Sequence, residues 1–248
     1  MSHCALLTRP RGSNDRLSHL LKQSGIRCLE RPMFEIQPTV VMTAQKTLAM
    51  NLDQFDCVIF VSRNAVRYGA RFLEQYWPQW PEAEWFAVGK ATATELEQFD
   101  IKAIYPEKAG SEGLLDFQQM KSVADSKVMI VRGRGGRELL AAELSARGAK
   151  VSYLELYERI EVKYGEELAS DLFEHGVNLC VVTSAQALRH LFASLSAKEI
   201  ATLHFVVPSK RIALLADELG CTQVLEADGA DDEALLQSIL KITLLMQT

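Results

Sequence analysis

A strand, turn, helix, strand pattern occurs twice in this chain, 123 residues apart, and that repetition limits what it can fold into more than any other feature. The second copy is the clearer. In Lys127 to Ile160, KVMIVRGRGGRELLAAELSARGAKVSYLELYERI, the run Val128 to Val131 has the length and composition of a buried strand. Gly133, Gly135 and Gly136 let the backbone turn tightly, Leu140 and Leu144 give the next helix an apolar stripe, and Gly148 stops it. The first copy aligns Arg9 with Arg132, Leu17 with Leu140, Leu21 with Leu144 and Gly25 with Gly148. Further matches follow in order: Val61-Ser62 with Thr183-Ser184, Ala65-Val66 with Ala187-Leu188, and Glu112 to Leu115 with Glu233 to Leu236. Ordered matches at a nearly fixed offset point to a diverged tandem duplication.

Strands alternating with helices at this pace predict an α/β protein with two doubly wound parallel-sheet lobes. Predicted strands lie at Cys4 to Thr8, Ile26 to Glu30, Cys57 to Val61, Trp85 to Val88, Ala103 to Tyr105, Asn178 to Thr183, His204 to Val207 and Gln223 to Leu225. Two segments at repeat-equivalent positions, 32–38 and 155–164, alternate polar and apolar residues, and the first is bounded by Pro32 and Pro38. They are predicted to be extended linkers that carry the chain from one lobe to the other and back. One lobe is then discontinuous, from residues 1–35 and 165–248, and the second is 39–154.

Composition excludes several function classes. A net charge of −5 with no basic block disfavours nucleic acid as a partner. No apolar run approaches the roughly 20 residues of a membrane helix, and MSHCALLTRPRG lacks the apolar core of a signal peptide, so the cytoplasm is the expected compartment. Five cysteines without metal-ligand spacing read as reduced core thiols, and five histidines show no paired spacing, so no metal site is expected. Nucleotide loops and a GxSxG elbow are missing.

The distinctive polar residues all follow predicted strands: Arg9, Ser62, Asn64, Lys90, Thr92, Arg132, Arg137, Ser184 and Ser209. Ligands of such folds bind at the carboxyl ends of strands, where helix N-termini offer free N–H groups, so these residues could face one shared cleft for a multiply charged anion. The bland alternative, in which the hydroxyls only cap helices and the arginines only decorate the surface, stays open for each residue singly. Tyr157 borders the same region, as a hydrogen-bonding group or as a half-buried packing residue.

Thr8-Arg9-Pro10, Val61-Ser62-Arg63-Asn64-Ala65-Val66, Ala87-Val88-Gly89-Lys90-Ala91-Thr92-Ala93, Ser111-Glu112-Gly113-Leu114-Leu115, Arg132-Gly133 with Gly136-Arg137, Tyr157-Glu158-Arg159, and Thr183-Ser184 together resemble the uroporphyrinogen-III synthases over essentially the full chain. The resemblance implies two α/β lobes joined by a two-stranded ladder, no cofactor, and closure of the linear tetrapyrrole hydroxymethylbilane to uroporphyrinogen III with inversion of the last pyrrole ring and loss of water. It assigns substrate contacts to Ser62, Thr92, Arg137 and Ser184 and places Tyr157 near the leaving hydroxyl. Ionisation there gives an azafulvene-like cation, attack by the last ring gives a spiro intermediate, and reopening and reclosure invert that ring. The chain departs from the family at Val207-Pro208-Ser209-Lys210-Arg211, where a Gly and a Thr are usual. A monomer is expected, with a transient hand-over from the enzyme that makes hydroxymethylbilane. A non-catalytic receptor for a multiply charged anion is the competing class; a glycosyl or phosphoryl transferase would need a nucleotide or metal site that the sequence lacks.

Overall fold

The structure is a computed structural model that describes residues 3–136 and 138–246. Among the described residues ten strands form two sheets: β1 (Cys4–Leu7), β2 (Arg27–Glu30), β3 (Phe34–Pro38), β4 (Cys57–Phe60), β5 (Glu84–Ala87), β6 (Lys127–Gly133), β7 (Lys150–Glu161), β8 (Leu179–Val181), β9 (His204–Val207) and β10 (Val224–Glu226). Their orders are β10-β9-β8-β1-β2 and β3-β7-β6-β4-β5. Pairing is parallel throughout the first sheet and from β7 to β5 in the second. The β3 and β7 pair is antiparallel: Thr39 N–H donates to the Leu156 carbonyl at 2.9 Å, while at the other end Val162 N–H donates to the Met33 carbonyl at 3.1 Å.

The chain forms two compact units, one of residues up to Glu35 together with those from Ile160 onward, the other Ile36–Arg159. Aligned by the 123-residue offset, four strands of each sheet follow one order, because β1, β2, β8 and β9 take the places of β6, β7, β4 and β5, while β10 and β3 are added at opposite edges. Each sheet therefore combines the opening strands of one repeat with the closing strands of the other. Gly25 and Gly148, one repeat apart, both hold positive φ, 75° and 90°, just past a helix.

Both faces of each sheet are covered, so the strands read as apolar runs. In β1, Cys4 and Leu6 join a core with helices Glu167–Glu174, Ala185–Ser194 and Lys210–Glu218. Ala5 and Leu7 join the core on the other face with helices Asp15–Gln23 and Asp232–Leu245. In β4 the same alternation sends Val58 and Phe60 toward helix Arg63–Leu73, and Cys57 and Ile59 toward helix Leu139–Ala146.

One expectation needs correction: Ala103 to Tyr105 is not a strand but one bridge between Ile104 and Phe86. Residues 155–161 are extended and continue β7 from Lys150 without a break. All five cysteines are free, and burial pushes each thiol up from its ordinary value, which suits core packing rather than reactivity.

Candidate functional site

In the unit Ile36–Arg159 the strands β7, β6, β4 and β5 lie side by side and parallel, so their carboxyl ends share one edge. That edge carries Tyr157, Arg132 with Gly133, Ser62, and the Gly89 to Thr92 turn. Along β7, Arg132 pairs with Glu155 but Gly133 pairs with Tyr157, skipping Leu156, which is a β-bulge. Strand alternation would otherwise send Tyr157 to the face opposite Leu156. The extra residue puts Leu154, Leu156 and Tyr157 into one core, on the side of helix Arg63–Leu73.

So aimed, Tyr157 meets Ser62, with its hydroxyl 2.9 Å from Ser62 Oγ. Ser62 is also the N-cap of helix Arg63–Leu73, and its Oγ accepts the Ala65 N–H at 3.0 Å. The Tyr157 ring stacks on Tyr68 with centroids 5.2 Å apart. It also lies against the Gly133 backbone, where a Cβ would come within 2.5 Å of Cε2 and 2.9 Å of Cδ2 and Cζ. Burial pushes the Tyr157 hydroxyl above the ordinary tyrosine range, while Ser62, the Gly133 backbone and Arg132 pull it down. It stays a protonated donor at neutral pH.

The glycine-rich turn after β6 works differently from the sequence expectation. Only Gly135 has positive φ, 72°; Gly133 makes room for Tyr157, and Gly136 for the Arg132 guanidinium, which would lie 3.1 Å from a Cβ there. Arg132 is 4% exposed. Its donors reach the Gly136 carbonyl at 2.7 Å and the Gly133 carbonyl at 3.2 Å, it pairs with Glu138 at 3.0 Å and Glu155 at 3.4 Å, and its guanidinium lies 4.4 Å from the Tyr153 ring centre. Burial, and after it the hydrogen bond that Tyr153 donates to Glu138, push the Tyr153 hydroxyl up to about 12. Arg132 thus holds the turn together. Arg137 lies outside the described residues.

The other residues singled out on this edge differ in setting. Lys90 is exposed at the start of helix Lys90–Leu96, Thr92 is buried in its first turn with its N–H donating to the Gly89 carbonyl at 3.0 Å, and Asn64 is half-buried in the first turn of helix Arg63–Leu73. In the other unit, Arg9, Ser184 and Ser209 follow β1, β8 and β9 at the equivalent edge. Ser184 caps helix Ala185–Ser194 by accepting the Ala187 N–H at 3.1 Å, and Ser209 takes the same place before helix Lys210–Glu218 without a side-chain cap bond. Arg9 binds Asp232 at 2.6 Å and the Ala230 carbonyl at 2.6 Å, fastening the start of helix Asp232–Leu245.

Sequence reasoning missed Tyr68 and the bulge. An available signal was Tyr157, a large residue that directly follows Leu156 and so breaks the alternation Leu154, Leu156 of β7. Among the described residues no group of three or more His, Cys, Asp or Glu is placed to hold a metal ion, and no helix is long and apolar enough to cross a membrane.

The family model described as uroporphyrinogen-III synthase HemD matches residues 15–237. The uroporphyrinogen-III synthase of Escherichia coli (strain K12) is 33% identical over 242 residues, covering 94% of this chain and 98% of the relative. That of Salmonella typhimurium is 34% identical over 245 residues with the same coverage. Among solved structures, uroporphyrinogen-III synthetase from Helicobacter pylori 26695 superimposes with a TM-score of 0.63 at 14% identity, covering 98% of this chain and 100% of that one. A mutant uroporphyrinogen III synthase from Thermus thermophilus also gives 0.63, at 15% identity and coverage of 100% and 99%.

Proposed function

The chain belongs to the uroporphyrinogen-III synthase family, and from that membership we propose that Tyr157, Ser62 and the N-terminus of helix Arg63–Leu73 form the part of the site that assists departure of the substrate hydroxyl. The protein is a cyclising lyase of tetrapyrrole and haem biosynthesis, closing hydroxymethylbilane to uroporphyrinogen III. The observation that carries the residue assignment is the 2.9 Å contact of Ser62 Oγ with the Tyr157 hydroxyl.

In the productive arrangement the Ala65 N–H donates to Ser62 Oγ, Ser62 donates to the Tyr157 oxygen, and Tyr157 donates to the departing hydroxyl. Each donor is polarised by the one behind it, and the first belongs to the positive end of a helix. Tyr157 needs only to be a neutral donor, in keeping with its raised pKa. Pyrrole chemistry supplies most of the reactivity, so the assistance belongs at the low end of general acid catalysis, on the order of 10²-fold. Holding the chain for inverted closure is a matter of positioning.

The substrate's carboxylates fall to the turn residues. We assign Asn64, Lys90, Thr92, Arg137, Ser184 and Ser209 to them, supported by the helix N-termini at which the described members of this set stand. Arg9 and Arg132 are assigned a different task, that of holding backbone in place, because protein acceptors already engage them. A monomer acting in the cytoplasm, receiving its unstable substrate through transient contact with the enzyme that makes it, completes the proposal.

Incubation with freshly generated hydroxymethylbilane, followed by chromatographic separation of isomers I and III, tests the function. Isomer III is expected; isomer I alone would overturn it in favour of a receptor.

A further inference from the structure

Rotation of a tyrosine ring about χ2 is soft, with broad wells, so packing and not torsion fixes the ring plane. A phenolic O–H prefers to lie in that plane. Whatever sets the plane of the Tyr157 ring therefore sets the direction in which its hydroxyl donates.

Tyr68 is placed to do this. It lies on helix Arg63–Leu73, the helix that Ser62 caps, and its ring stacks on Tyr157 with centroids 5.2 Å apart and 24° between planes. Its own hydroxyl donates to the Ile36 carbonyl at 3.3 Å, tying the far end of the ring to β3. Ser62 holds the tip of Tyr157 and the Gly133 backbone crowds its ring, but a hydrogen bond at the tip leaves rotation about the ring axis open. The stack closes that freedom.

We propose that Tyr68 is a positioning residue for the cyclisation: by stacking on Tyr157 it fixes the plane in which the Tyr157 hydroxyl donates, and so favours enzymatic closure to isomer III over spontaneous closure to isomer I. The proposal rests on the role given above to Tyr157. Tyr68 itself touches no reacting atom. A tyrosine that merely packed would affect melting temperature and leave the isomer ratio alone.

The test compares Tyr68→Leu, Tyr68→Phe and Tyr157→Phe in the full chain, using freshly generated hydroxymethylbilane and measuring kcat, KM, isomer ratio and thermal midpoint. Tyr68→Leu keeps apolar bulk but no ring, and kcat is expected to fall on the order of ten-fold, below the hundred-fold of a serious misplacement, with KM within about two-fold and isomer I rising. Tyr68→Phe, which keeps the stack and loses only the bond to Ile36, should restore kcat and the ratio. Tyr68→Met carries the same measurements should the leucine variant not fold. A Tyr68→Leu or Tyr68→Met protein with wild-type kcat and isomer ratio, beside a damaged Tyr157→Phe, overturns the proposal while the role of Tyr157 stands. Wild-type behaviour of Tyr157→Phe overturns that role and the proposal with it.

Discussion

Ser62 and Tyr157 are 95 residues apart in sequence and 2.9 Å apart in the fold, and the oxygen that Ser62 turns toward Tyr157 is the one that caps a helix. One side chain thus joins the start of helix Arg63–Leu73 to the end of β7.

Ser62→Ala removes both links. The lost cap is worth about 1 kcal/mol and the lost hydrogen bond about as much again, read from denaturant unfolding. Turnover should drop and isomer I rise. Ser184→Ala, its repeat equivalent, loses a cap of the same kind and should cost about 1 kcal/mol, with any kinetic loss falling on KM through the carboxylate it is assigned and not on kcat. An equal fall in kcat in the two variants would separate Ser62 from the Tyr157 hydroxyl.

Gly133→Ala tests the room left for the ring. A methyl there would meet Tyr157 Cε2 at 2.5 Å, so the ring or β6 must shift, at about 1 to 3 kcal/mol for overpacking. Because the hydroxyl is fixed rigidly to the ring, displacing the ring draws it off Ser62 Oγ, and kcat should fall more than KM rises. A stable variant with unchanged kcat would show that the ring position is not critical.

Arg132 and Arg137 should part company. Arg132→Met removes charged hydrogen bonds that hold the turn, costing about 1.5 to 3 kcal/mol of stability in thermal or denaturant unfolding. Arg137→Ala should leave stability alone and raise KM, by about 1 to 3 kcal/mol of lost carboxylate binding. The reverse pattern would assign substrate binding to Arg132.

The Tyr157 hydroxyl also makes a pH prediction. Its pKa in the folded protein lies above the ordinary 10.0, through burial first, against the opposing pull of Ser62, the Gly133 backbone and Arg132. A raised pKa means that its contribution to stability is full below pH 10 and is lost as pH rises through the folded value. Ultraviolet titration should show, beside Tyr153 and Tyr164, a further tyrosine that ionises above its ordinary range and is missing from Tyr157→Phe. Ionisation of Tyr157 below pH 10 would contradict this.

Local chemistry made much of the fold legible. The buried run of β1, the stripe Leu140 and Leu144, and the glycines 25 and 148 each follow from a few neighbouring residues. The arginines were less legible, because a sequence displays a charge without the carboxylate that the fold brings to it: Asp232 for Arg9, Glu138 and Glu155 for Arg132. Tyr68 lay in an ordinary amphipathic helix, and nothing local marks it as a stacking partner. Gly69, next to it, looks like a weak point in that helix, yet a Cβ there would run into Val131 Cγ1 of β6. A contact with a strand 62 residues away is beyond any local pattern.

The exchange of strands between the repeats also governs when each part of the protein can form. On the ribosome the unit Ile36–Arg159 has all its strands once residue 159 has emerged. β1 can pair with β2 early, but its other edge must wait for β8, since Ala5 pairs with Leu179, 174 positions later. Until then the strand CALL, at most 2% exposed when folded, offers the Cys4 and Leu6 face, whose covering helices all lie beyond residue 166, to solvent and to other nascent chains. Closing so long a loop is slow, which makes entry of the N-terminal strand the expected late step of refolding. A permuted chain beginning at Ile160 and running through a linker into Cys4 would make both units continuous. Stopped-flow refolding of that chain should lose the late phase, and its persistence would place the slow step elsewhere.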